Sequence, residues 1–329
     1  MTLSDGMLKC FPNWYYLGKS NDTIFYESPS YPKEVDLLRV SRGRRTECGG
    51  PRSAFYHGFG GSGTVITIGV FLGTNSLPIL GVGFLTSQKG HAVVTGGGSG
   101  IGRAIARTLA GEGWSVSVLD LSEERAQAVA DEITRDGGTA RGVACDLSTR
   151  DGAQGGVLKA RSALGPVKAL VNNVGIYPSG PFVEIKDQDW DLVMNVCLKS
   201  FLWCSQESLV DMMAQRSGKI VNMASIDGKT PGPGNAAYSA AKAGVISLTR
   251  SLAAEMAEFN INVNAVAPGW VETPNILKSD RWKEAIKRIP IGRLAKPEEI
   301  ADAVSFLLSE KAVYITGEVL NINGGMLMD

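Results

Sequence analysis

The sequence predicts an α/β fold in which a doubly wound parallel sheet of about seven strands carries helices on both faces. From residue 90 onward, short apolar runs alternate with longer segments whose apolar residues recur every three or four positions. A glycine-rich loop at 95–102 joins the first apolar run to the first of these segments. Strands that alternate with helices are typical of parallel sheets, because each helix returns the chain to the same end of the sheet.

The predicted strands are short apolar runs bounded by polar or glycine residues, as buried strands are. They cover 91–95, 115–120, 140–146, 168–175, 218–225, 261–269 and 317–325. Each is followed by a loop or a helical segment, so the strands are expected to run in one direction.

The predicted helices fill the gaps between these strands. The first two end at glycines, which commonly terminate helices. Longer helices are predicted at about 187–214 and 236–259, and Pro297 stands near the start of the last one. The segment 270–295 is predicted to be a loop with short helical pieces, and we expect it to form a lid over a ligand.

Residues 1–88 lack this regular pattern. Roughly the first sixty are rich in Tyr, Pro, Ser, Gly and Arg and show neither a helical nor an alternating period. We therefore predict a largely irregular and poorly ordered N-terminal extension at 1–88, followed by one complete domain at 89–329. Residues 64–86 are apolar and long enough to span a bilayer, but Asn75 and Pro78 interrupt them. A membrane span is therefore the less favoured alternative.

The composition excludes several classes of protein. Lys and Arg number 33 and Asp and Glu number 33, so no bulk charge favours nucleic acid or an anionic membrane as a partner. The five cysteines form no CxxC pair, and there are only two histidines, so no metal site is predicted. We expect reduced thiols and a cytoplasmic protein.

The glycine-rich loop, TGGGSGIG at 95–102, predicts a site for the pyrophosphate of a dinucleotide. It lies between a strand and a helix, where free backbone N–H groups and the helix dipole attract an anion. Gly96 permits the turn, Gly100 allows the pyrophosphate to approach, and Gly102 allows the helix to pack on the strand. Thr95 and Ile101 complete this predicted set.

Asp120 ends the second predicted strand, about twenty residues after the loop. An acid at this position accepts hydrogen bonds from the adenosine ribose hydroxyls and repels a 2′-phosphate. No basic residue replaces Ser99 or directly follows Asp120, so NAD is favoured and NADP is the alternative cofactor. Asp120 could instead cap a helix, a role that Ser122 could also fill.

Asp146 ends the third predicted strand, and Leu147 follows it. We predict that they lie beside the adenine, where the Asp146 carboxylate could accept a hydrogen bond from the amino group. The alternative role of Asp146 is to cap the next turn.

Ser225, Tyr238 and Lys242 predict a site of proton transfer. Tyr238 and Lys242 are four residues apart and so lie on one helix face, while Ser225 ends a strand. A free tyrosine has a pKa of about 10, and lowering it by about 3 units requires roughly 4 kcal/mol. A partly desolvated Lys242 could supply much of that energy. Taken alone, Tyr238 could be a core residue and Lys242 a solvated one.

These motifs resemble those of the short-chain dehydrogenase/reductase family over residues 90–329. Ser225 precedes Tyr238 by the family's usual thirteen residues, and the C-terminal run GRLAKPEEIADAVSFLLSE is very like that of 3-oxoacyl-(acyl-carrier-protein) reductases and of related 3-hydroxyacyl or polyol dehydrogenases. Val174 replaces the family's usual alanine. The matching motifs are TGGGSGIG (95–102), NNVG (172–175), Asn195, Ser225, YSAAK (238–242), Pro268-Gly269 and Thr273.

The resemblance implies a Rossmann-type fold and an NAD(P)-dependent enzyme that interconverts a secondary alcohol and a ketone. It implies that Tyr238 is the acid/base and that Ser225 holds the substrate oxygen. Lys242 would lower the Tyr238 pKa and hold the nicotinamide ribose, and Asn195 would hold a water through its main chain. Further cofactor contacts are implied at Asn172, Gly175, Pro268, Gly269, Val271 and Thr273. The resemblance also implies a homotetramer.

Two alternatives stay open at this point. The first is an NADPH-dependent reductase of 3-oxoacyl thioesters of acyl carrier protein or CoA, against which Asp120 argues. The second is a non-catalytic nucleotide-sensing protein, against which the complete set of Ser225, Tyr238 and Lys242 argues. The substrate itself is not readable from the sequence.

Overall fold

The structure is a computed structural model that describes residues 89–278 and 280–328 in full. In the preceding part it describes the backbone of five strands. The chain divides into two compact units, Met1–Ser87 and Gln88–Asp329.

The first unit contains two antiparallel sheets among its described residues. Strand β1 pairs with β2, and β4 lies between β3 and β5. Their bounds are β1 Tyr15–Ser20, β2 Thr23–Glu27, β3 Ser53–Phe59, β4 Val65–Gly73 and β5 Ser76–Leu85.

The structure therefore describes strands in a part of the chain for which the sequence predicts a largely irregular extension. The prediction of poor order in the rest of 1–88 lies outside the described residues. The membrane-helix alternative for 64–86 is replaced by two paired strands, with Val65 opposite Leu85. The many β-branched residues and glycines of this stretch favour a strand over a helix. In the described parts of the chain, no helix is long and apolar enough to cross a bilayer.

The second unit is built on a seven-stranded parallel sheet, which confirms the predicted fold class. The strand order is β12-β11-β10-β9-β6-β7-β8, so the order reverses between β6 and β9. Ligands of such sheets bind at this reversal, beyond the carboxyl ends of the strands. The strands are β6 Gly90–Thr95, β7 Trp114–Asp120, β8 Thr139–Ala144, β9 Val167–Asn172, β10 Gly218–Met223, β11 Ile261–Pro268 and β12 Val319–Ile322.

Helices cover both faces of this sheet. Alternate residues of β6 point to opposite faces, so Val94 packs with Ile105 and Ile300 while Val93 packs with Val157. The helices are α1 Gly100–Gly111, α2 Glu123–Arg135, α3 Arg150–Leu164, α4 Asp187–Met194, α5 Ser200–Gln215, α6 Ala236–Met256, α7 Pro274–Leu277, α8 Arg281–Ile286 and α9 Pro297–Leu308.

The predicted helix at 187–214 differs from the structure in one respect. A π-helical turn over Asn195–Lys199 separates α4 from α5. A π turn accommodates one extra residue and so rotates the side chains that follow it, and such turns are frequent at functional sites. Ser200 is held to this turn, because its hydroxyl donates to the Val196 carbonyl at 2.6 Å.

Candidate active site

The carboxyl ends of β6, β7, β9 and β10 bring the predicted site residues to the reversal of strand order. The glycine loop follows β6, Asp120 ends β7, and Ser225 lies just beyond β10. These segments are far apart in the sequence, and the parallel sheet places their ends at one edge.

The glycine loop has the close approaches that its residue types require. Gly96 and Gly100 have φ angles of 62° and 51°, which side chains rarely adopt. A Cβ on Gly102 would lie 2.1 Å from the Gly96 carbonyl oxygen, so this position excludes any side chain. Ser99, the residue before α1, makes no side-chain cap. The N–H groups at the start of α1 thus face the mouth of the loop without a side-chain acceptor from Ser99.

Hydrogen bonds of Thr95 and Asn173 hold the start of the glycine loop. The Thr95 hydroxyl accepts hydrogen bonds from the N–H groups of Asn173 at 2.9 Å and Val174 at 3.2 Å. The Asn173 amide donates to the carbonyl of Thr95 at 2.9 Å and to that of Gly96 at 3.2 Å. Asn173 is absent from the predicted site residues, although it is the residue that shapes the turn.

Asn172 points to the opposite side, as successive strand residues do. Its amide donates to the Asn222 carbonyl oxygen at 2.9 Å and to the Ser205 hydroxyl at 3.2 Å. The structure thus places Asn172 in the core between β9, β10 and α5, and not beside the glycine loop.

Asp120 meets the glycine loop directly. Its Oδ2 accepts a hydrogen bond from Gly98 N–H at 3.1 Å, and its Oδ1 accepts one from Ser122 N–H at 3.0 Å. Ser122, and not Asp120, caps α2 by accepting from Arg125 N–H. The Asp120 carboxylate is buried.

Arg125 forms an ion pair with Asp120 that the sequence prediction missed. Its Nη2 and Nε donate to Asp120 Oδ1 at 2.7 and 3.2 Å. The Arg125 side chain is 54% exposed, in contrast to 7% for Asp120. The predicted acid of the ribose site therefore has a cation beside it that solvent or a ligand can reach.

Asp146 holds a turn. Its Oδ1 accepts hydrogen bonds from the N–H and the hydroxyl of Ser148 at 2.9 and 2.7 Å. Thr149 caps α3, and Leu147 is buried in the core. The structure thus shows the turn-forming role that the sequence left as an alternative for Asp146.

Ser225, Tyr238 and Lys242 come together at the start of α6. Tyr238 hydrogen-bonds the Ser225 hydroxyl, which also accepts from Asp227 N–H at 3.1 Å. Lys242 is buried and donates to the Met223 carbonyl at 2.6 Å. Its Nζ lies 5.5 Å from the centre of the Tyr238 ring. The predicted hydroxyl, phenol and ammonium therefore share one cleft.

Burial is the largest influence on the pKa values of Tyr238 and Lys242 in this cleft. Burial raises the pKa of Tyr238, and the Ser225 hydrogen bond opposes this only in part. Burial also lowers the pKa of Lys242. The sequence predicts a lowered Tyr238 pKa when Lys242 and a positive nicotinamide act together, and burial acts against that lowering. Tyr238 is a proton donor at neutral pH unless a further positive charge comes close.

Asn195 and Cys197 lie on the π turn. Asn195 Oδ1 is buried without a hydrogen-bond partner. Cys197 is fully buried, and its sulfur accepts from Ile176 N–H at 3.3 Å and donates to Ile176 C=O at 3.2 Å. A Cβ on Gly175 would lie 3.9 Å from both Cys197 Sγ and Lys242 Nζ. Cys197 and Lys242 thus both lie close to Gly175.

A cavity of about 360 Å³ is lined in part by Tyr177, a neighbour of Tyr238. The Tyr177 ring meets the Tyr238 ring edge-on, with 6.0 Å between the ring centres. Burial raises the pKa of Tyr177, and a hydrogen bond with Asn275 opposes the shift. The cavity is lined by Gly175, Ile176, Tyr177, Pro178, Asp189, Leu192 and Asn275.

The segment after β11 closes the other side of the site. Thr273 caps α7 and lies against the glycine loop, since a Cβ on Gly100 would be 3.3 Å from Thr273 Cγ2. Val271 is buried, and Gly269 packs against Asn323. Pro268 is the last residue of β11. Ile101 packs against the core at the base of α1.

Among the residues that the structure describes, no group of three or more His, Cys, Asp or Glu side chains could hold a metal ion.

Known proteins resemble this chain over the second unit. The family model described as enoyl-(acyl carrier protein) reductase matches residues 96–327. The 3-oxoacyl-(acyl-carrier-protein) reductase FabG of Staphylococcus aureus is 40% identical over 240 residues, which cover 72% of this chain and 98% of that protein. The reductase of the same name from Aquifex aeolicus is 43% identical over 238 residues, which cover 71% of this chain and 96% of that protein.

A solved structure has the same fold. A double mutant of a Serratia marcescens short-chain dehydrogenase/reductase is 34% identical to this chain, with a TM-score of 0.69. The match covers 73% of this chain and 98% of that one.

Proposed function

The chain belongs to the short-chain dehydrogenase/reductase family of oxidoreductases, and we propose that it interconverts a ketone and a secondary alcohol by hydride transfer. The observation that carries this proposal is the cluster of Ser225, Tyr238 and Lys242 beside a glycine loop. A loop of this shape binds a dinucleotide, and the cluster can exchange a proton with a carbonyl oxygen. The unaltered cluster also argues against a non-catalytic nucleotide sensor.

The residues of the glycine loop fit a nicotinamide dinucleotide. The contact at Gly102 leaves no room for a side chain, and the N–H groups at the start of α1 suit a pyrophosphate. Asp120 Oδ2 accepts only one hydrogen bond from the described residues and has capacity for a ribose hydroxyl. Thr273, which packs over Gly100, would hold the nicotinamide end. When bound, the cofactor supplies the hydride chemistry.

The protein's own residues manage the proton and the substrate oxygen. In ketone reduction the Tyr238 phenol donates its proton to the substrate oxygen, while the Ser225 hydroxyl hydrogen-bonds that oxygen. Because burial raises the pKa of Tyr238, the phenol is in its donating form at neutral pH. In alcohol oxidation Tyr238 must first lose this proton, and the positive charges of Lys242 and of an oxidised nicotinamide favour that step.

Within this reaction class, the ketone that we propose is a 3-oxoacyl thioester. Curated relatives about 40% identical to the chain are named 3-oxoacyl-(acyl-carrier-protein) reductases, and these matches span nearly their whole length. The cavity lined by Tyr177 is bordered by Leu192, an exposed apolar side chain. Phe182 and Val183, also exposed, lie on the loop between the cavity-lining residues Pro178 and Asp189. An apolar border suits an acyl chain.

The choice of cofactor follows from two opposing charges. The Asp120 carboxylate favours NAD, because it binds the ribose hydroxyls and repels a 2′-phosphate. Arg125 neutralises this carboxylate and offers a half-exposed guanidinium, which supports use of NADP as well. We propose that the enzyme accepts both cofactors, with a preference set by this pair.

The test is an assay of the purified full chain with acetoacetyl-CoA and either NADH or NADPH, followed by the loss of reduced-nicotinamide absorbance. The proposal expects turnover with at least one cofactor. A lack of turnover with acetoacetyl-CoA but activity on simple ketones would refute the thioester assignment. A lack of turnover with every ketone and alcohol in a broad panel would refute the proposed reaction.

We also propose a homotetramer in the cytoplasm, as the sequence predicts. Helix α5 carries the exposed apolar residues Leu202, Val210 and Met213, which a partner subunit would cover. Sedimentation analysis of the purified protein tests this arrangement.

A further inference from the structure

Cys197 lies at the centre of the contacts that join the π turn to the catalytic residues. Its side chain is fully buried and packs with Ala237 and Ala241 of α6, the helix that carries Tyr238 and Lys242. The structure describes two other free cysteines, Cys145 and Cys204, and both pack in a different core cluster. Among the described residues, Cys197 is thus the free thiol that lies in this cleft.

The thiol of Cys197 forms two hydrogen bonds with the backbone of one residue, Ile176. The sulfur accepts from Ile176 N–H at 3.3 Å, and the S–H donates to Ile176 C=O at 3.2 Å. Ile176 lies beyond the end of β9, where no neighbouring strand supplies partners for these groups. The thiol therefore makes the hydrogen bonds with Ile176 that a neighbouring strand would otherwise make.

The residues on either side of Ile176 contact the catalytic pair. Gly175 lies against Lys242, since a Cβ built on it would be 3.9 Å from Lys242 Nζ. Tyr177 packs edge-on against the Tyr238 ring, 6.0 Å between centres. A shift of Ile176 would thus move a neighbour of Lys242 and a neighbour of Tyr238 together.

We propose that Cys197 is a positioning residue for the proposed reaction: by clamping Ile176, it holds Gly175 and Tyr177 against Lys242 and Tyr238. The inference rests on the proposed function. Cys197 lies within the π turn over Asn195–Lys199, and turns of this kind are frequent at functional sites.

The titratable groups that face Tyr238 are Cys197, Asp227 beyond β10, and Tyr177. Because Cys197 acts as an S–H donor to Ile176 C=O, it acts on the catalytic pair through position and not through charge.

The test compares Cys197→Ala, Cys197→Ser and Cys197→Val with wild type, and uses Cys204→Ala as the matched control. Cys204 is also buried, but it lies in α5 among residues that do not contact the 175–177 segment. Each variant is assayed for kcat, for KM of the cofactor and for the pH dependence of alcohol oxidation. Thermal unfolding reports the stability of each one.

The clamp predicts that Cys197→Ala lowers kcat roughly 10-fold, because misplacing reacting groups by a fraction of an ångström has effects of this order. The cofactor KM stays within about twofold, because the glycine loop is untouched. The pH profile of oxidation stays in place, because the thiol acts through position. Cys197→Ser, which can donate and accept in the same way, recovers much of kcat, whereas Cys197→Val, which fills the space without these bonds, does not.

Equal kcat in Cys197→Ala and wild type would overturn the proposal, as would a matching loss in Cys204→Ala. If Cys197→Ala does not fold, the comparison of the serine and valine variants decides: equal activity of the two refutes the clamp. An inactive wild type refutes the proposed function and not the clamp, because the clamp is judged only by differences from an active wild type.

Discussion

Arg125→Ala isolates the charge that opposes Asp120 at the predicted ribose site. The substitution removes both guanidinium hydrogen bonds to Asp120 Oδ1 and leaves the carboxylate uncompensated. A 2′-phosphate would then meet a net negative site instead of a neutral pair. We therefore predict that NADPH binding weakens while NADH binding changes little.

The size of the effect follows from the exposure of Arg125. Two unit charges 4 Å apart interact by about 4 kcal/mol near a protein surface and by about 1 kcal/mol in bulk water. The Arg125 side chain is 54% exposed, which places it toward the watery limit. We take about 1–2 kcal/mol, which is roughly a 5- to 30-fold loss in NADPH affinity.

Fluorescence titration of each purified variant with NADH and NADPH measures both affinities. Arg107→Ala is the matched control, because Arg107 is an exposed arginine of α1 that pairs with Asp136, remote from the glycine loop. Equal losses for the two cofactors, or an Arg107→Ala variant that behaves like Arg125→Ala, would refute the role of Arg125 in cofactor choice.

Two further predictions concern the loop and the pH dependence. Gly102→Ala should abolish dinucleotide binding in a titration, because its Cβ would lie 2.1 Å from the Gly96 carbonyl oxygen, whereas Gly111→Ala, where a Cβ meets nothing within 4 Å, should bind normally. Normal binding by Gly102→Ala would contradict the geometry of the loop. Ketone reduction should be constant through neutral pH and fall on the alkaline side, because the raised pKa of Tyr238 keeps the donating phenol protonated until high pH. A rate of reduction that rises steadily with pH would contradict this assignment.

The sequence was sufficient where the signal is local. The alternation of apolar runs and helical periods predicted the parallel sheet, and the glycine spacing predicted the turn at Gly96 and the packing at Gly102. The spacing of four between Tyr238 and Lys242 predicted that both side chains enter one cleft, because helix geometry makes such residues neighbours.

The contacts that the sequence did not predict depend on which strand ends and helix faces meet in three dimensions. Arg125, in the first turn of α2, pairs with Asp120 at the end of β7. Inspection of the residue directly after Asp120 could not find this contact. Asn173 braces the glycine loop because β9 lies beside β6 in the sheet.

The place of Cys197 in the site could not be predicted for a separate reason. A helical period of 3.6 residues does not predict the π turn on which Cys197 lies. A hydrogen bond between a thiol and the backbone, as between Cys197 and Ile176, also leaves no pattern in the sequence.

Turnover by Tyr238→Phe tests the central claim most directly. The substitution removes the hydroxyl that donates the proton and keeps the ring that packs against Tyr177. We predict that kcat for ketone reduction falls by ~10²–10⁴-fold, which is the usual contribution of a positioned proton donor to the rate. Cofactor affinity and thermal stability should stay close to wild type. Tyr314→Phe, the same change at a fully exposed tyrosine, should leave kcat unaltered. A Tyr238→Phe variant that binds the cofactor and turns over at the wild-type rate would contradict the account.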